Sequence, residues 1–432
     1  MTFCMSLRCS ALVLAMGCDS GATDAHDGPP AISVDFGEPG ADVRSMVGFL
    51  HSVGPGSAPE SLVLPLRPRL LRGGAQGSEA LVARAAGTAV ERMLVLSDLW
   101  GYPHQGYPNR GGRAPFEDYP AWEAFVRGLA GATRGQDLVY EVWNEPDQPF
   151  FWNGSMDQYA ETFRRAERVL RDELGAAVRV AGPGIAHWDE DQVRGFLDYQ
   201  RRAGSRVDVL TWHEFQLDSN LPRIEASLRR ARSAYVSATA YRDVGIREIF
   251  IGETLAEADV HRPGPVLGTL YFLERGGADA AARACYGSCF DGSLNGLLTE
   301  EGLPRAAWWA YRAYAETLTG RVPVRVRGAG VAAFAAHGPA GRAASVVVGR
   351  FSDESYGLFA TVELRLKGLD RLTGARRGVV RIVVRKVPAT GTAPLADLPV
   401  EWEETREVEK STTIELTAVG VGEGRVVSIS AP

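Results

Sequence analysis

Leu138-Val139-Tyr140-Glu141-Val142-Trp143-Asn144-Glu145-Pro146 is the stretch whose reading decides the fold. The run is rich in β-branched and aromatic residues, as a buried strand is. Pro146 has no N–H to give to a ladder, so pairing should end at about Glu145. Alternation along the strand then places Glu141, Trp143 and Glu145 on one face. Alone, a strand-end glutamate could as well cap a following helix, so its meaning depends on what surrounds it.

Outward from this strand, between Asp42 and Leu318, short apolar runs alternate with longer amphipathic ones, the pattern of repeated βα units. Eight candidate strands can be read: Met46–Leu50, Arg69–Arg72, Arg92–Leu96, Leu138–Trp143, Val178–Ala181, Val207–Trp212, Glu248–Ile251 and Ala281–Cys285. Helical periodicity separates several of them, over Trp122–Ala132, Met156–Leu174, Asp191–Ala203, Ile224–Tyr241 and Pro304–Leu318. Eight such units predict an α/β fold, a closed (β/α)8 TIM barrel over residues 42–320. After Arg321 the texture changes to short strands with Gly and Pro turns: Val322–Val326, Ala344–Val348, Ala360–Leu366, Val379–Val384, Thr412–Leu416 and Arg425–Ile429. These predict a small antiparallel β-sandwich over residues 321–432, to which Ile32–Phe36, within the 31–41 segment, could add a strand. Scaffolding is the plain role for that sandwich, since Trp402 is its one obvious platform for a sugar ring.

At 432 residues and 45% hydrophobic content the chain can bury a large core. A net charge of −6 argues against the basic surface that phosphate backbones require, so no nucleic acid is expected as a partner. Arg8, the apolar Ala11–Met16 and then Gly17-Cys18 have the layout of a secretory signal. Ala15-Met16-Gly17-Cys18 resembles the lipobox of bacterial lipoproteins, in which the cysteine becomes the lipidated N-terminus. The reading is a signal over residues 1–18 ending at Cys18, a flexible tether over 19–30, and a membrane anchored through lipid rather than a span. That implies an exported protein, periplasmic or at the cell surface of a bacterium. Cys4 and Cys9 leave with the signal; Cys285 and Cys289, bracketing Tyr286-Gly287-Ser288, are expected to form a small disulfide loop in such a compartment. No second Cys or His pair lies near them, so no metal is expected.

In a (β/α) barrel the functional groups sit at the C-terminal ends of the strands. The polar residues there are His51, Arg72, Asp98, Asn144, Glu145, His213, Glu214 and Glu253. Two of them are glutamates that end the fourth and seventh strands, on roughly opposite sides of the mouth, and inward-reaching side chains from both can come within about 5 Å. Trp152, Trp100 and Tyr102 fall in loops above the barrel, where an aromatic face could stack on a pyranose ring, and His51 and His104 are further polar candidates. Glu141 is expected to line the barrel interior.

From Trp122 to Tyr314 the chain resembles the clan A glycoside hydrolases and is most similar to family 39, the family of β-xylosidases and α-iduronidases. The resemblance is carried by Trp122, Glu141-Val142-Trp143-Asn144-Glu145-Pro146, Phe151-Trp152-Asn153-Gly154, Tyr159, Ala181-Gly182-Pro183, Asp208-Val209-Leu210-Thr211-Trp212-His213 and the strand ending at Glu253. It implies a retaining glycosidase needing no cofactor, acting on an oligosaccharide or glycoside such as a β-xyloside. It also implies roles: Glu145 the general acid/base, Glu253 the nucleophile, and Asn144 the partner of the hydroxyl next to the anomeric carbon. By the same resemblance Arg72 holds Glu253 ionised, and His213 is expected to bond a sugar or a carboxylate. The acid must begin protonated and later act as base. The chain departs from the family at Arg72-Gly73-Gly74, where Arg-x-His-Gly is usual, and at His213-Glu214-Phe215, where the family has His-x-Tyr. It departs also at Thr254 and at Ala284–Asp291, where a tryptophan usually ends the eighth strand. These changes line the subsite, so a non-catalytic carbohydrate-binding lipoprotein and an endo-acting clan A hydrolase of another family stand as rivals.

Overall fold

The computed structural model of the protein describes residues 28–51, 57–74, 90–97, 114–338, 342–354, 356–373 and 378–431. Residues 1–18, read as a signal ending at Cys18, and Asp98, Trp100, Tyr102 and His104 lie outside the described residues. Strand β1 (Ala31–Asp35) precedes a closed parallel barrel of β2 (Gly48–Leu50), β3 (Leu70–Gly74), β4 (Glu91–Ser97), β5 (Val139–Trp143), β6 (Arg179–Ile185), β7 (Val209–Glu214), β8 (Glu248–Thr254) and β9 (Ala280–Arg283). The ring closes where Phe49 of β2 pairs with Arg283 of β9. All eight strands expected from the sequence are present, with ends shifted by a few residues.

Strands covered on both faces can be apolar throughout, and alternation then sorts their side chains into two cores. Leu70, Met93, Val139, Ala181, Val209 and Phe250 belong to one small cluster filling the barrel. Their sequence neighbours Leu71, Leu94, Tyr140, Val180, Leu210 and Ile249 belong to the larger core beneath the helices. Those helices begin as their sequences dictate. Asp118 caps Tyr119–Ala132 by accepting from Ala121 N, and Ser155 and Gln158 form a reciprocal capping box on Met156–Leu174.

Two helices depart from expectation. The helix expected over Ile224–Tyr241 is α-helical only over Pro222–Ala231, then passes into a π turn at Arg232–Val236 and a 3-10 turn at Thr239–Tyr241. Pro263–Gly276 forms a helix that periodicity does not reveal, because it is buried almost all round. It lies between the barrel and the C-terminal sheets. A side chain at Gly264 would meet Arg350 O at 1.9 Å, and one at Gly268 would meet Leu221 and Phe351 at 2.8 Å, so the backbone approach requires glycine at both.

The C-terminal strands are β10 (Arg321–Val322), β11 (Val324–Arg327), β12 (Val331–His337), β13 (Ala343–Arg350), β14 (Phe359–Lys367), β15 (Gly378–Val387), β16 (Val400–Val408), β17 (Ser411–Gly420) and β18 (Gly424–Ser430). They form a six-stranded sheet, β10-β12-β13-β18-β15-β16, and a four-stranded one, β11-β1-β14-β17, which share a core that includes Val34, Val346, Leu364 and Ile382. The sandwich is not purely antiparallel: β1 pairs antiparallel with β11 but parallel with β14.

Candidate active site

Arg72, the middle residue of β3, points into the barrel with its side chain 2% exposed, and its guanidinium bonds Glu141, Glu253 and Asn144. Nε donates to Glu141 Oε2 at 2.7 Å, Nη1 to Glu253 Oε1 at 2.8 Å, and Nη2 to Asn144 Oδ1 at 2.8 Å. A planar, always charged fork suits this task, fixing the directions of all three side chains at once. Glu141 lies on the inner face of β5 as expected, and its burial there depends on Arg72.

Glu253 reaches the mouth through an irregularity. The pairing of β7 with β8 shifts between Trp212 and His213, and that of β8 with β9 between Ile251 and Thr254, so β8 bulges around Gly252-Glu253. A bulge re-aims the side chain next to it. Gly252 is needed there, since a Cβ would stand 3.0 Å from His213 Nε2 and 3.4 Å from Arg72 Nε. Glu257, the other carboxylate nearby, opens a 3-10 turn beyond the strand and is exposed.

Glu145 arrives differently from the strand alternation expected. Trp143 packs against Trp122 and Trp152, with ring centroids 5.9 and 5.2 Å away, and belongs to the core beneath the helices. Glu145 turns into the mouth by a left-handed backbone, φ 46°, secured by Glu145 N donating to Gly184 O at 2.9 Å and Gln148 N to Glu145 O at 3.0 Å. Such a conformation costs a non-glycine residue on the order of 1–3 kcal/mol and persists only where the surroundings impose it. Gly184 is itself at φ 69°, and a Cβ there would lie 2.8 Å from Trp143 O and 3.2 Å from Glu141 Oε1. His51, Leu255 and Tyr286, also at the ends of barrel strands, have positive φ as well.

His213 Nδ1 lies 2.7 Å from Glu145 Oε1. Its side chain is 0% exposed, and a Cβ at Gly252 would stand 3.0 Å from its Nε2. The structure thus places a carboxylate within hydrogen-bonding distance of His213. The contact fixes the direction of the Glu145 carboxyl group within the mouth. His213 is also the register partner of Glu253 across β7 and β8, so the elements holding the two glutamates share this residue.

The backbone N–H of His51 donates to Arg72 O at 2.9 Å, and its imidazole ring packs 4.9 Å from Phe290. Burial, with the Arg72 charge second, lowers it to about 4, so near pH 7 it is a neutral hydrogen-bonding group. Trp152 corrects the expectation of a stacking platform. It is 2% exposed, packed edge-on against Phe116, Trp143 and Tyr159, and its indole donates to Ser155 O. It supports the Glu145 turn from beneath. Among the described residues no cluster of His, Cys, Asp and Glu is arranged to hold a metal ion.

A disulfide joins Cys285 to Cys289 just after β9. Inside its loop Tyr286 donates from its hydroxyl to Leu255 O at 2.8 Å, with its ring 6.2 Å from that of Phe215. Burial and then the charges of Glu253, Glu257 and Glu145 hold its phenol well above the usual range. In the sequence Tyr286 stands inside the expected Cys285–Cys289 loop with no role of its own, and the two bracketing cysteines are the signal that points to it.

No protein-family profile and no curated protein matches this sequence. Solved structures do share its fold. One protein from Neocallimastix frontalis aligns with 94% of this chain and 100% of its own at TM-score 0.72 and 18% identity. A glucosidase from Croceicoccus marinus aligns over 94% and 99% at TM-score 0.68 and 14% identity. A GH39 β-xylosidase from Caulobacter crescentus aligns over 93% and 100% at TM-score 0.58 and 17% identity. The barrel with its accessory sheets is therefore an architecture that glycoside hydrolases of this kind also have.

Proposed function

We propose that the protein is a retaining glycoside hydrolase that cleaves O-glycosidic bonds of β-xyloside-like sugars by double displacement. The observation that carries this reading is the separate tethering of two strand-end carboxyl groups in one barrel mouth. Glu253 is held by a guanidinium and Glu145 by an imidazole, so the two carboxyl groups have different partners, as two different tasks require. In the first step Glu253 attacks the anomeric carbon while Glu145 protonates the departing oxygen. In the second, Glu145 takes a proton from water, whose oxygen displaces Glu253 from the sugar. Asn144 Oδ1 is taken by Arg72, so its amide N–H groups are what it offers to a sugar hydroxyl. The β-xylosidase and glucosidase likenesses support the sugar class in kind only.

Glu145→Gln is expected to lower kcat/KM on substrates with poor leaving groups by about 10²–10⁴-fold. A dinitrophenyl glycoside, whose leaving group needs no proton, should be much less affected in its first step. Equal loss on the two substrates, measured side by side, would remove Glu145 from the acid role.

We also propose export and lipidation at Cys18, supported by the Ala15-Met16-Gly17-Cys18 sequence. Cys18→Ser should move the protein from the membrane fraction to the soluble one when each is assayed by immunoblot; unchanged partition would end this reading.

A further inference from the structure

Beyond the carboxyl pair, the loop after β9 contains a side chain with no assigned task. Tyr286 lies at φ 43° between two disulfide-bonded cysteines, so its backbone is fixed in a conformation that its own side chain disfavours. Its hydroxyl reaches across to β8 and donates to the carbonyl of Leu255, a residue itself at φ 74° and two positions beyond Glu253. The strand end receives two further ties from β9: Ala284 N donates to Thr254 O at 3.1 Å, and Thr254 Oγ1 to Ala282 O at 3.2 Å. Leu255 N bonds Glu214 O at 3.3 Å on the other side. The segment that carries Glu253 thus bulges at its start and turns left-handed at its end. The Tyr286 hydroxyl is the side-chain contact that fixes that turn. Its ring lies near Phe215, which in turn packs 5.8 Å from His213, so the loop leads to Glu253 along the chain from Leu255 and to Glu145 through Phe215 and His213. The phenol stays protonated beside these carboxylates, as a donor to Leu255 must.

We propose that Tyr286 is a positioning residue for Glu253: through Leu255 O it sets the aim of the nucleophile, and the Cys285–Cys289 disulfide keeps it there. This rests on the glycosidase reading. In an acylal-forming step with a 2-deoxy-2-fluoro glycosyl fluoride, a Glu253 carboxylate oxygen bonds to the anomeric carbon while the carbon–fluorine bond breaks and fluoride departs with the electron pair. The Glu145 proton matters little for so good a leaving group. The rate constant of trapping therefore isolates the aim of Glu253.

The test is intact-mass and peptide-mapping kinetics of trapping over a panel of such fluorides, with pentose, hexose and uronic acid members. Wild type is compared with Tyr286→Phe and with the double variant Cys285→Ser, Cys289→Ser. Tyr286→Phe removes one oxygen and keeps the ring, so its melting temperature should be close to that of wild type. Its limiting trapping rate should fall about tenfold to a hundredfold, the scale on which a misplacement of about 1 Å acts. Its half-saturating fluoride concentration should not change. The double variant, and wild type treated with reductant, should be slowed in the same direction. An unchanged rate in Tyr286→Phe, with wild type labelled on Glu253, overturns the positioning role alone. A weaker half-saturation at an unchanged limiting rate also overturns it, since Tyr286 would then be a wall of the sugar subsite. Failure of wild type to label with any member overturns both this role and the reading beneath it.

Discussion

Glu253→Ala is expected to reduce turnover of an aryl glycoside on the order of a millionfold, the scale seen when a covalent nucleophile is taken out of a cooperating set. The variant should still fold, because Glu253 is partly exposed and Arg72 keeps its bonds to Glu141 and Asn144. Sodium azide supplies the decisive measurement. With the carboxylate gone, azide can enter the vacated space and attack the same face of the anomeric carbon. One displacement then replaces two, so the product is a glycosyl azide of inverted configuration. Restored turnover giving that product by NMR identifies Glu253 as the group that attacks. If azide rescues nothing and the residual activity of the variant stays near wild type, Glu253 is not the nucleophile and the reading fails.

Arg72→Met should be the most damaging change to stability at the site. Removing one partner of a buried charge pair typically costs about 3–5 kcal/mol, because the remaining charge is left in a poorly solvated place. Here that charge is Glu141, whose side chain is 0% exposed and whose Oε2 is bonded by Arg72. Denaturant unfolding at neutral pH should show the loss. It should shrink in the double variant Arg72→Met, Glu141→Gln, which leaves no carboxylate behind. A deficit unrelieved by Glu141→Gln would mean that volume, not charge, is what Arg72 contributes. Activity should fall with stability, since the same guanidinium orients Glu253 and Asn144.

How far such a site can be read without coordinates depends on how local its signals are. The barrel strands were legible because each is a β-branched or apolar run ended by polar residues, and Glu145, Glu253, Arg72 and Asn144 are legible for the same reason. The strands that escaped notice lack that signal. β12 reads Val-Ala-Ala-Phe-Ala-Ala-His, alanine-rich and buried, and β16 at the sheet edge reads Val-Glu-Trp-Glu-Glu-Thr-Arg-Glu-Val, where one face is charged. Long-range effects were equally silent. Nothing in the residues around Trp152 says that Phe116, Trp143 and Tyr159 will enclose it, and nothing around His213 says that Glu145, 68 residues away, will take its Nδ1. The left-handed backbone at Glu145 was hidden too, because a glutamate carries no mark of positive φ as a glycine does.

Strand β1 gives the chain a particular order of events. Residues 31–35 lie in register with residues 324–327 on one side and 363–367 on the other. During synthesis β1 therefore has neither of these neighbours until the whole barrel has followed it, and its edges stay unpaired meanwhile. Non-local pairing of this kind is formed late and slowly. Completion of the fold is thereby tied to the C-terminal part of the polypeptide: a chain that stops before β11 has a barrel's worth of sequence but neither neighbour for β1.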